Sequence, residues 1–160
     1  DFIQETQCAR CGTNSAKETG IALVTIATAA SGTITGVCVG TEIYSSADQN
    51  THTTHMATGD KGYVFVVDDP TVIWEIEEDS DSENMAVVDI GEGVDLVSIT
   101  ACDSNTGLSK AMLDSSTAVA SADQCQVLGI TQRPDNALGA SCHWDVRINE
   151  HTYAGVGTMI

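Results

Sequence analysis

The side chains with the chemistry to bind a metal or catalyse a reaction are four histidines, a run of carboxylates and one close cysteine pair. His52 and His55 lie three residues apart in a polar segment, and His143 and His151 flank the last strand-like stretch. A catalytic zinc ion needs two or three imidazoles that converge on an open site, with a carboxylate behind them. Because the polar segment has little helical pattern, it does not place the first pair on one face. We therefore predict solvent-exposed loop histidines, no metal site and no cofactor.

The carboxylates are concentrated in one short stretch of the chain. Its members are Glu77, Glu78, Asp79, Asp81 and Glu83. Calcium takes several oxygen ligands of this kind, but the stretch lacks the ordered D-x-D-x-D-G pattern of a dedicated calcium loop. We favour a solvated acidic tip that discourages the addition of a foreign strand. The sequence alone leaves cation binding at this tip open.

The common catalytic motifs are absent from the sequence. There is no G-x-S-x-G elbow, and the two glycines Gly91 and Gly93 lack the third glycine of a dinucleotide loop. Cys8 and Cys11 have a redox-like spacing, but no helical pattern follows them to lower a thiol pKa. A hydrolase built on the clustered carboxylates is a further alternative, although aromatic residues that could stack on a sugar make up only 4% of the chain. We predict that the protein is not an enzyme.

The six cysteines favour some disulfides, because the four other than Cys8 and Cys11 are far apart, as cross-links between distant strands would be. The six are Cys8, Cys11, Cys38, Cys102, Cys125 and Cys142. Disulfides stabilise a fold by about 2–4 kcal/mol each and persist outside the reducing cytosol. Buried free thiols are the alternative, and the spacing does not assign pairs.

The charge balance excludes two classes of partner. The chain carries 6 Lys and Arg against 23 Asp and Glu, a formal net charge of −17. Nucleic acids and anionic membrane surfaces both attract Lys and Arg and repel such a chain. The sequence also has no run of about 18 apolar residues that could span a membrane. We therefore expect neither partner.

The local patterns favour β-strands. The apolar residues are rich in Val and Ile, which suit a pleated surface better than a helix. Residues 63–67 (YVFVV) are a continuous apolar run that predicts a buried strand. Residues 71–77 and 141–149 alternate between apolar and polar, and residues 85–90 (MAVVDI) predict a strand that returns from the acidic tip.

The length and the strand pattern together predict one all-β domain. A chain of 160 residues suits a single domain. Residues 1–20 are polar and predict an irregular N-terminal arm, and residues 21–160 predict the β domain. Many short strands without a long helix favour a single-domain antiparallel barrel or a jelly-roll-like sandwich.

Four stretches resemble characteristic segments of a family of small structural proteins of tailed bacteriophages. Residues 63–76 (YVFVVDDPTVIWEI) are similar to the family's YV-x-DDP-x-x-x-FE(V/I) hairpin, and residues 146–151 (VRINEH) resemble its closing V-x-INEH strand. Residues 107–117 (GLSKAMLDSST) and 129–139 (GITQRPDNALG) resemble two segments between them. The order and spacing match from about residue 36 to the C-terminus.

The resemblance implies a decoration (cement) protein on the outer surface of the virion capsid. It also implies a homotrimer that binds the major capsid protein. The candidate interface residues are Asp68, Asp69, Asn149, Glu150 and His151. Turn formation and strand-end capping are the alternative role for these side chains. A host-surface or carbohydrate-binding β module of the virion is the alternative function.

Overall fold

The chain forms short strands joined by turns. The computed structural model describes residues 2–6, 23–45, 61–81, 83–99, 109–118 and 124–154. The strands in these ranges are β1 (Phe2–Thr6), β2 (Leu23–Ile26), β3 (Gly36–Ser45), β4 (Lys61–Val67), β5 (Trp74–Glu77), β6 (Gly93–Val94), β7 (Leu96–Val97), β8 (Met112–Leu113), β9 (Cys125–Ile130) and β10 (His143–Ile148). Two 3₁₀ turns span Val87–Asp89 and Ser115–Thr117, and the described residues contain no α-helix. The all-β prediction is confirmed.

The strands form two four-stranded sheets and one small strand pair. The first sheet has the order β2-β1-β3-β4, the second has the order β5-β10-β9-β6, and β7 pairs with β8. All of these pairings are antiparallel. Over the described residues the sheets do not close into a barrel, so these strands do not form the barrel that is one of the two predicted architectures. No described helix has the length and apolar character needed to cross a membrane.

The first strand corrects the prediction of an irregular N-terminal arm. Phe2–Thr6 is β1, which lies between β2 and β3 and pairs with both of them. The arm prediction is therefore wrong for these residues, and residues 7–20 lie outside the described ranges. A strand with a neighbour on each side has its backbone groups paired in two ladders, and this pairing outweighs a weak local pattern.

The apolar core lies mainly on one face of the second sheet. Trp144, Val146 and Ile148 of β10 are between 0% and 4% exposed, whereas His143 and Asp145, which alternate with them, are partly buried and Arg147 is exposed. This is the alternation that the sequence predicts for β10, and it is confirmed. β10 pairs with β5 on one side and with β9 on the other, so its inward side chains lie at the centre of the sheet.

The continuous apolar run of β4 is not buried as predicted. β4 lies at the edge of the first sheet, with 40% of Tyr63 and 52% of Phe65 exposed. The ring of Phe65 lies over Gly40 of β3, where a methyl group added to the glycine would be 3.6 Å from ring atom Cδ2. An edge strand has a neighbour on one side only, so less of its apolar surface is covered.

The predicted strand at residues 85–90 is instead an anchored turn. Met85 is 2% exposed, and the 3₁₀ turn at Val87–Asp89 follows it. The Ala86 N–H donates to Asp89 Oδ2 at 2.7 Å, and the Asp89 N–H donates to the Ala86 carbonyl oxygen at 3.0 Å. A carboxylate that accepts a nearby backbone N–H competes with a sheet ladder. The strand prediction is wrong here because the pattern of apolar residues carries no information about hydrogen bonds between the Asp89 side chain and the backbone.

Candidate functional site

The predicted interface residues lie at the junction between the two sheets. The Ile34 N–H donates to the Glu150 carbonyl oxygen at 2.8 Å, and the Thr152 N–H donates to the Ile34 carbonyl oxygen at 2.9 Å. β3 begins two residues after Ile34, and its Val37 pairs with Val67 at the end of β4. The two aspartates that follow β4 therefore come close to the segment that follows β10. We call this region the corner, made of residues 34–35, 68–69 and 149–152.

The five predicted residues of the corner differ in accessibility. Asp68 and Asp69 are exposed and Glu150 is partly exposed. Asn149 is 8% exposed and His151 only 1% exposed. The surface of the corner is therefore supplied mainly by carboxylates, whereas the amide and the imidazole belong to its interior.

Asp69 closes the turn after β4. Its Oδ1 accepts hydrogen bonds from the Thr71 N–H at 2.8 Å and from the Thr71 hydroxyl at 2.6 Å. These bonds lower the pKa of Asp69 below its ordinary value. The carboxylate is therefore ionised at neutral pH, and the turn-forming role considered for Asp69 from sequence is present.

His151 fastens the segment that follows β10. Its Nδ1 accepts a hydrogen bond from the Tyr153 N–H at 3.1 Å, which in the neutral ring places the hydrogen on Nε2. Nε2 is buried and has no hydrogen-bond partner among the described residues. The hydroxyls of Thr35 and Thr152 lie 3.1 Å apart beside it and join the two chain segments. The imidazole is thus a packed part of the junction.

A second polar group lies on the outward face of the second sheet. Glu75 Oε1 pairs with Arg133 Nη1 and lies 3.1 Å from His143 Nδ1. Arg133 Nε also lies 3.3 Å from Asp135 Oδ1. These side chains are between 29% and 77% exposed, and such surface pairs contribute little to stability. The group is a charged surface network that includes one of the four histidines considered for metal binding.

Three carboxylates come close together near the acidic tip. Asp79, Asp81 and Asp114 each place an oxygen within 4.8 Å of the others, which is a spacing that a hard cation such as Ca²⁺ can use. The N–H and the hydroxyl of Ser115 donate to Asp79 Oδ1 at 3.0 and 2.9 Å. The segment that contains Asp79 is therefore joined to the segment that contains Ser115 by hydrogen bonds in which Ser115 is the donor.

Glu78 is an ionisable residue for which the sequence predicts the wrong environment. The sequence predicts it in a solvated tip, but it is 0% exposed. Its Oε2 accepts hydrogen bonds from the Met85 N–H at 2.9 Å and from Trp144 Nε1 at 3.2 Å, whereas Oε1 has no partner among the described residues. Burial raises the pKa of Glu78, and the hydrogen bonds only partly oppose this effect. The sequence carries no signal for the burial of Glu78, because Glu78 lies in a run of acidic residues whose other described members are exposed or half-buried.

The described cysteines are free thiols. Cys125 and Cys142 are buried and Cys38 is partly buried. Burial is the main cause that raises the pKa of the Cys125 and Cys142 thiols, which keeps them protonated and unreactive. Cys125 and Cys142 thus correspond to the alternative of buried free thiols. Cys8, Cys11 and Cys102 lie outside the described residues, as do His52 and His55, so for these three cysteines the predicted disulfides stay a prediction.

An open cleft lies beside the end of β5. Its volume is about 380 Å³, and its lining includes Glu77, Ser98, Ser109, Lys110 and Met112. The lining offers two hydroxyls, one ammonium and one carboxylate. The lining residues that the structure describes include no aromatic ring on which a sugar could stack, and such rings are a common feature of carbohydrate sites.

Comparison of the chain with protein-family models, with curated proteins and with solved structures finds no match.

Proposed function

We propose that the protein is a virion structural protein that decorates and stabilises the outer surface of a tailed-phage capsid. In this proposal it binds the major capsid protein as a homotrimer and has no enzymatic activity. Its two open antiparallel sheets form a jelly-roll-like sandwich that presents surfaces to the partners.

The observation that carries the proposal is the meeting of two family-like motifs at the corner. The DDP turn after β4 and the INEH segment after β10 are about 80 residues apart in the sequence. The bonds of Ile34 to Glu150 and Thr152, together with the Val37–Val67 pair, bring them to one place. These two motifs resemble segments of one family, in the same order along the chain, and they also lie close together in the structure. Both observations support a common role for the two motifs.

The charge of the chain supports an external position. A protein with a formal net charge of −17 is repelled by packaged DNA and is better suited to the outer face of a capsid. The exposed carboxylates of Asp68 and Asp69 extend this charge to the corner. We assign the corner to the contact with a neighbouring subunit of the trimer, where Lys or Arg of that subunit can pair with these carboxylates.

The first test is binding of the purified protein to expanded capsids that lack it. We expect saturable co-sedimentation and additional density in electron microscopy at local three-fold positions. If the protein fails to sediment with capsids at any concentration, the proposal is wrong. Binding to glycans without affinity for capsids would instead favour the host-surface or carbohydrate-binding module.

The second test concerns the corner. We expect Asp68→Lys to shift the trimer toward monomer in analytical ultracentrifugation, since it reverses an exposed charge at the subunit contact. Glu42→Lys is the matched control, because Glu42 is also exposed but lies opposite Tyr63, away from the corner. Equal trimer stability in both variants would remove the corner from the subunit contact.

A further inference from the structure

The 3₁₀ turn after the acidic tip exposes aliphatic side chains that the fold does not use. Val87 is 55% exposed, Val88 83% and Ile90 41%, and Leu128 on the adjacent β9 is 38% exposed. We call these four residues the valine patch. Single exposed aliphatic residues are common on protein surfaces, whereas contiguous groups mark interaction sites.

The turn is held against β9, which brings the members of the patch together. The Gly91 N–H donates to the Val127 carbonyl oxygen at 2.9 Å, and the Val127 N–H donates to the Glu92 carbonyl oxygen at 3.0 Å. The side-chain amide of Gln126 also donates to the Gly91 carbonyl oxygen at 3.0 Å. Ile90 and Leu128 are thus the direct chain neighbours of two residues that are hydrogen-bonded to each other.

The turn is also fixed at its beginning. Met85 is buried, and its N–H donates to the buried Glu78 at 2.9 Å. Within the turn, Asp89 accepts from the Ala86 N–H, and the Glu92 N–H donates to the Asp89 carbonyl oxygen at 3.0 Å. A surface that is already ordered loses less conformational entropy when it binds a partner.

The carboxylates beside the patch indicate the charge of its partner. Residues 83–92 contain Glu83, Asp89 and Glu92 and no Lys or Arg. In the described part of the chain these three carboxylates form no ion pair with a basic side chain. They are therefore available to a partner that brings Lys or Arg. A second copy of the same turn would bring like charges instead, which disfavours a contact between two copies of this turn.

We propose that the valine patch docks into an apolar depression of a partner protein that is bordered by Lys and Arg side chains. The inference rests on the proposed function, which makes this partner the outer surface of the capsid shell. It assigns the capsid contact to the valine patch and leaves the corner to the contact between subunits. Val88 lies at the centre of the contact because it has the largest exposed fraction of the four.

The test compares Val88→Asp with Ile73→Asp in binding to expanded capsids. Ile73 is 59% exposed and lies outside the patch, so it is a matched control for placing a carboxylate on exposed apolar surface. We expect Val88→Asp to weaken binding about tenfold or more, since a contact of one buried valine is lost and a charge must be desolvated. We expect Ile73→Asp to bind as the wild type does.

The outcomes separate this inference from the proposed function. If the wild type binds capsids and Val88→Asp binds equally well, the inference is overturned and the proposed function stands. If the wild type does not bind, both are overturned. A change in oligomeric state with unchanged capsid binding would assign the patch to a second copy and would also overturn the inference. Val88→Ser, which removes apolar surface without adding charge, replaces Val88→Asp if that variant does not fold.

The acidic border has its own test. We expect Glu92→Lys to weaken capsid binding and to reduce its dependence on salt, because one attractive pair across the interface is lost. Glu42→Lys makes the same change in charge on β3 and should leave binding unchanged. Equal binding by the two variants would contradict a basic border on the partner.

Discussion

The two sheets use apolar residues in different ways. In the second sheet the inward residues Cys125 and Val127 of β9 and Trp144, Val146 and Ile148 of β10 are buried, and Leu113 of β8 and Leu96 of β7 pack with them. Before β5, among the residues whose side-chain burial the structure describes (24–42 and 62–73), the buried apolar ones are Ala27 and Ile34. The apolar run of β4 is instead partly exposed at an edge. Burial therefore follows from the position of a strand in its sheet more than from the number of its apolar residues.

The largest expected difference between the sheets is the cost of losing an aromatic ring. We expect Trp144→Ala to lower the free energy of unfolding by about 3–5 kcal/mol, because the indole is completely buried and a cavity remains. We expect Phe65→Ala to lower it by less than about 1 kcal/mol, because half of the ring is already exposed. Urea unfolding followed by circular dichroism measures both values.

This pair of variants would also show whether the first sheet has a hidden burial partner. If Phe65→Ala costs as much as Trp144→Ala in the isolated protein, the ring is covered by something other than the described residues. Similar losses would therefore contradict the contrast between the two sheets.

A smaller effect is expected where two strands of the first sheet approach each other. A methyl group on Gly36 would lie 2.1 Å from the Val67 carbonyl oxygen and 2.9 Å from Val66 Cγ1. We expect Gly36→Ala to cost about 1–3 kcal/mol, because the backbone of β4 must move away from β3. Gly129→Ala is the control, since a methyl group there meets no atom within 4 Å. Thermal unfolding of the two variants compares them, and equal midpoints would show that β4 can shift freely.

Local alternation is the most reliable guide to the fold. The pattern of β10 predicts both the strand and its buried face, because every second side chain enters the core. The pattern of residues 71–77 predicts β5, although the strand begins only at Trp74. Residues 63–67 form a strand but are not buried as predicted, because an apolar run does not reveal whether another element covers it. Residues 85–90 do not form the predicted strand, because Asp89 accepts a backbone hydrogen bond that holds a turn. β1 escapes prediction because its order comes from pairing with β2 and β3 rather than from its own residues.

The sequence nominates the members of the candidate site but does not predict their geometry. Resemblance to the phage family selects Asp68, Asp69 and residues 149–151, but spacing along the chain cannot show that they meet. The junction depends on Ile34, which makes backbone bonds on both sides of His151 and whose sequence context carries no motif. The burial of His151 and Asn149 is likewise a result of this tertiary pairing.

Gln124 illustrates another contact that no local pattern predicts. Its side-chain amide donates to the carbonyl oxygens of Thr28 at 2.9 Å and Ser31 at 3.1 Å, and its Oε1 accepts from the Leu96 N–H at 3.2 Å. The side chain is 1% exposed. One buried amide thus ties the loop after β2 to the second sheet, and a glutamine in a sequence is ordinarily expected at the surface.

The smallest expected effect is a change in pH dependence, and it comes from Glu78 in the core of the second sheet. Burial raises the pKa of Glu78 above its ordinary value of 4.5, so the folded state holds a proton more tightly than the unfolded state does. The stabilisation that this provides is complete below pH 4.5 and is lost as the pH rises through the elevated pKa. Glu78→Gln keeps an oxygen that can accept from Met85 and Trp144 but carries no charge at any pH.

We therefore expect Glu78→Gln to differ from the wild type by less than about 1 kcal/mol near pH 4, and to become the relatively more stable protein as the pH rises toward 8. Free energies of unfolding measured from pH 4 to 8 for both proteins check this, since the many exposed carboxylates contribute equally and cancel in the difference. Glu77→Gln is the control, because Glu77 precedes Glu78 and is only partly buried. A difference between wild type and Glu78→Gln that does not change with pH would show that Glu78 is ionised in the folded state and that its two hydrogen bonds outweigh the cost of burial.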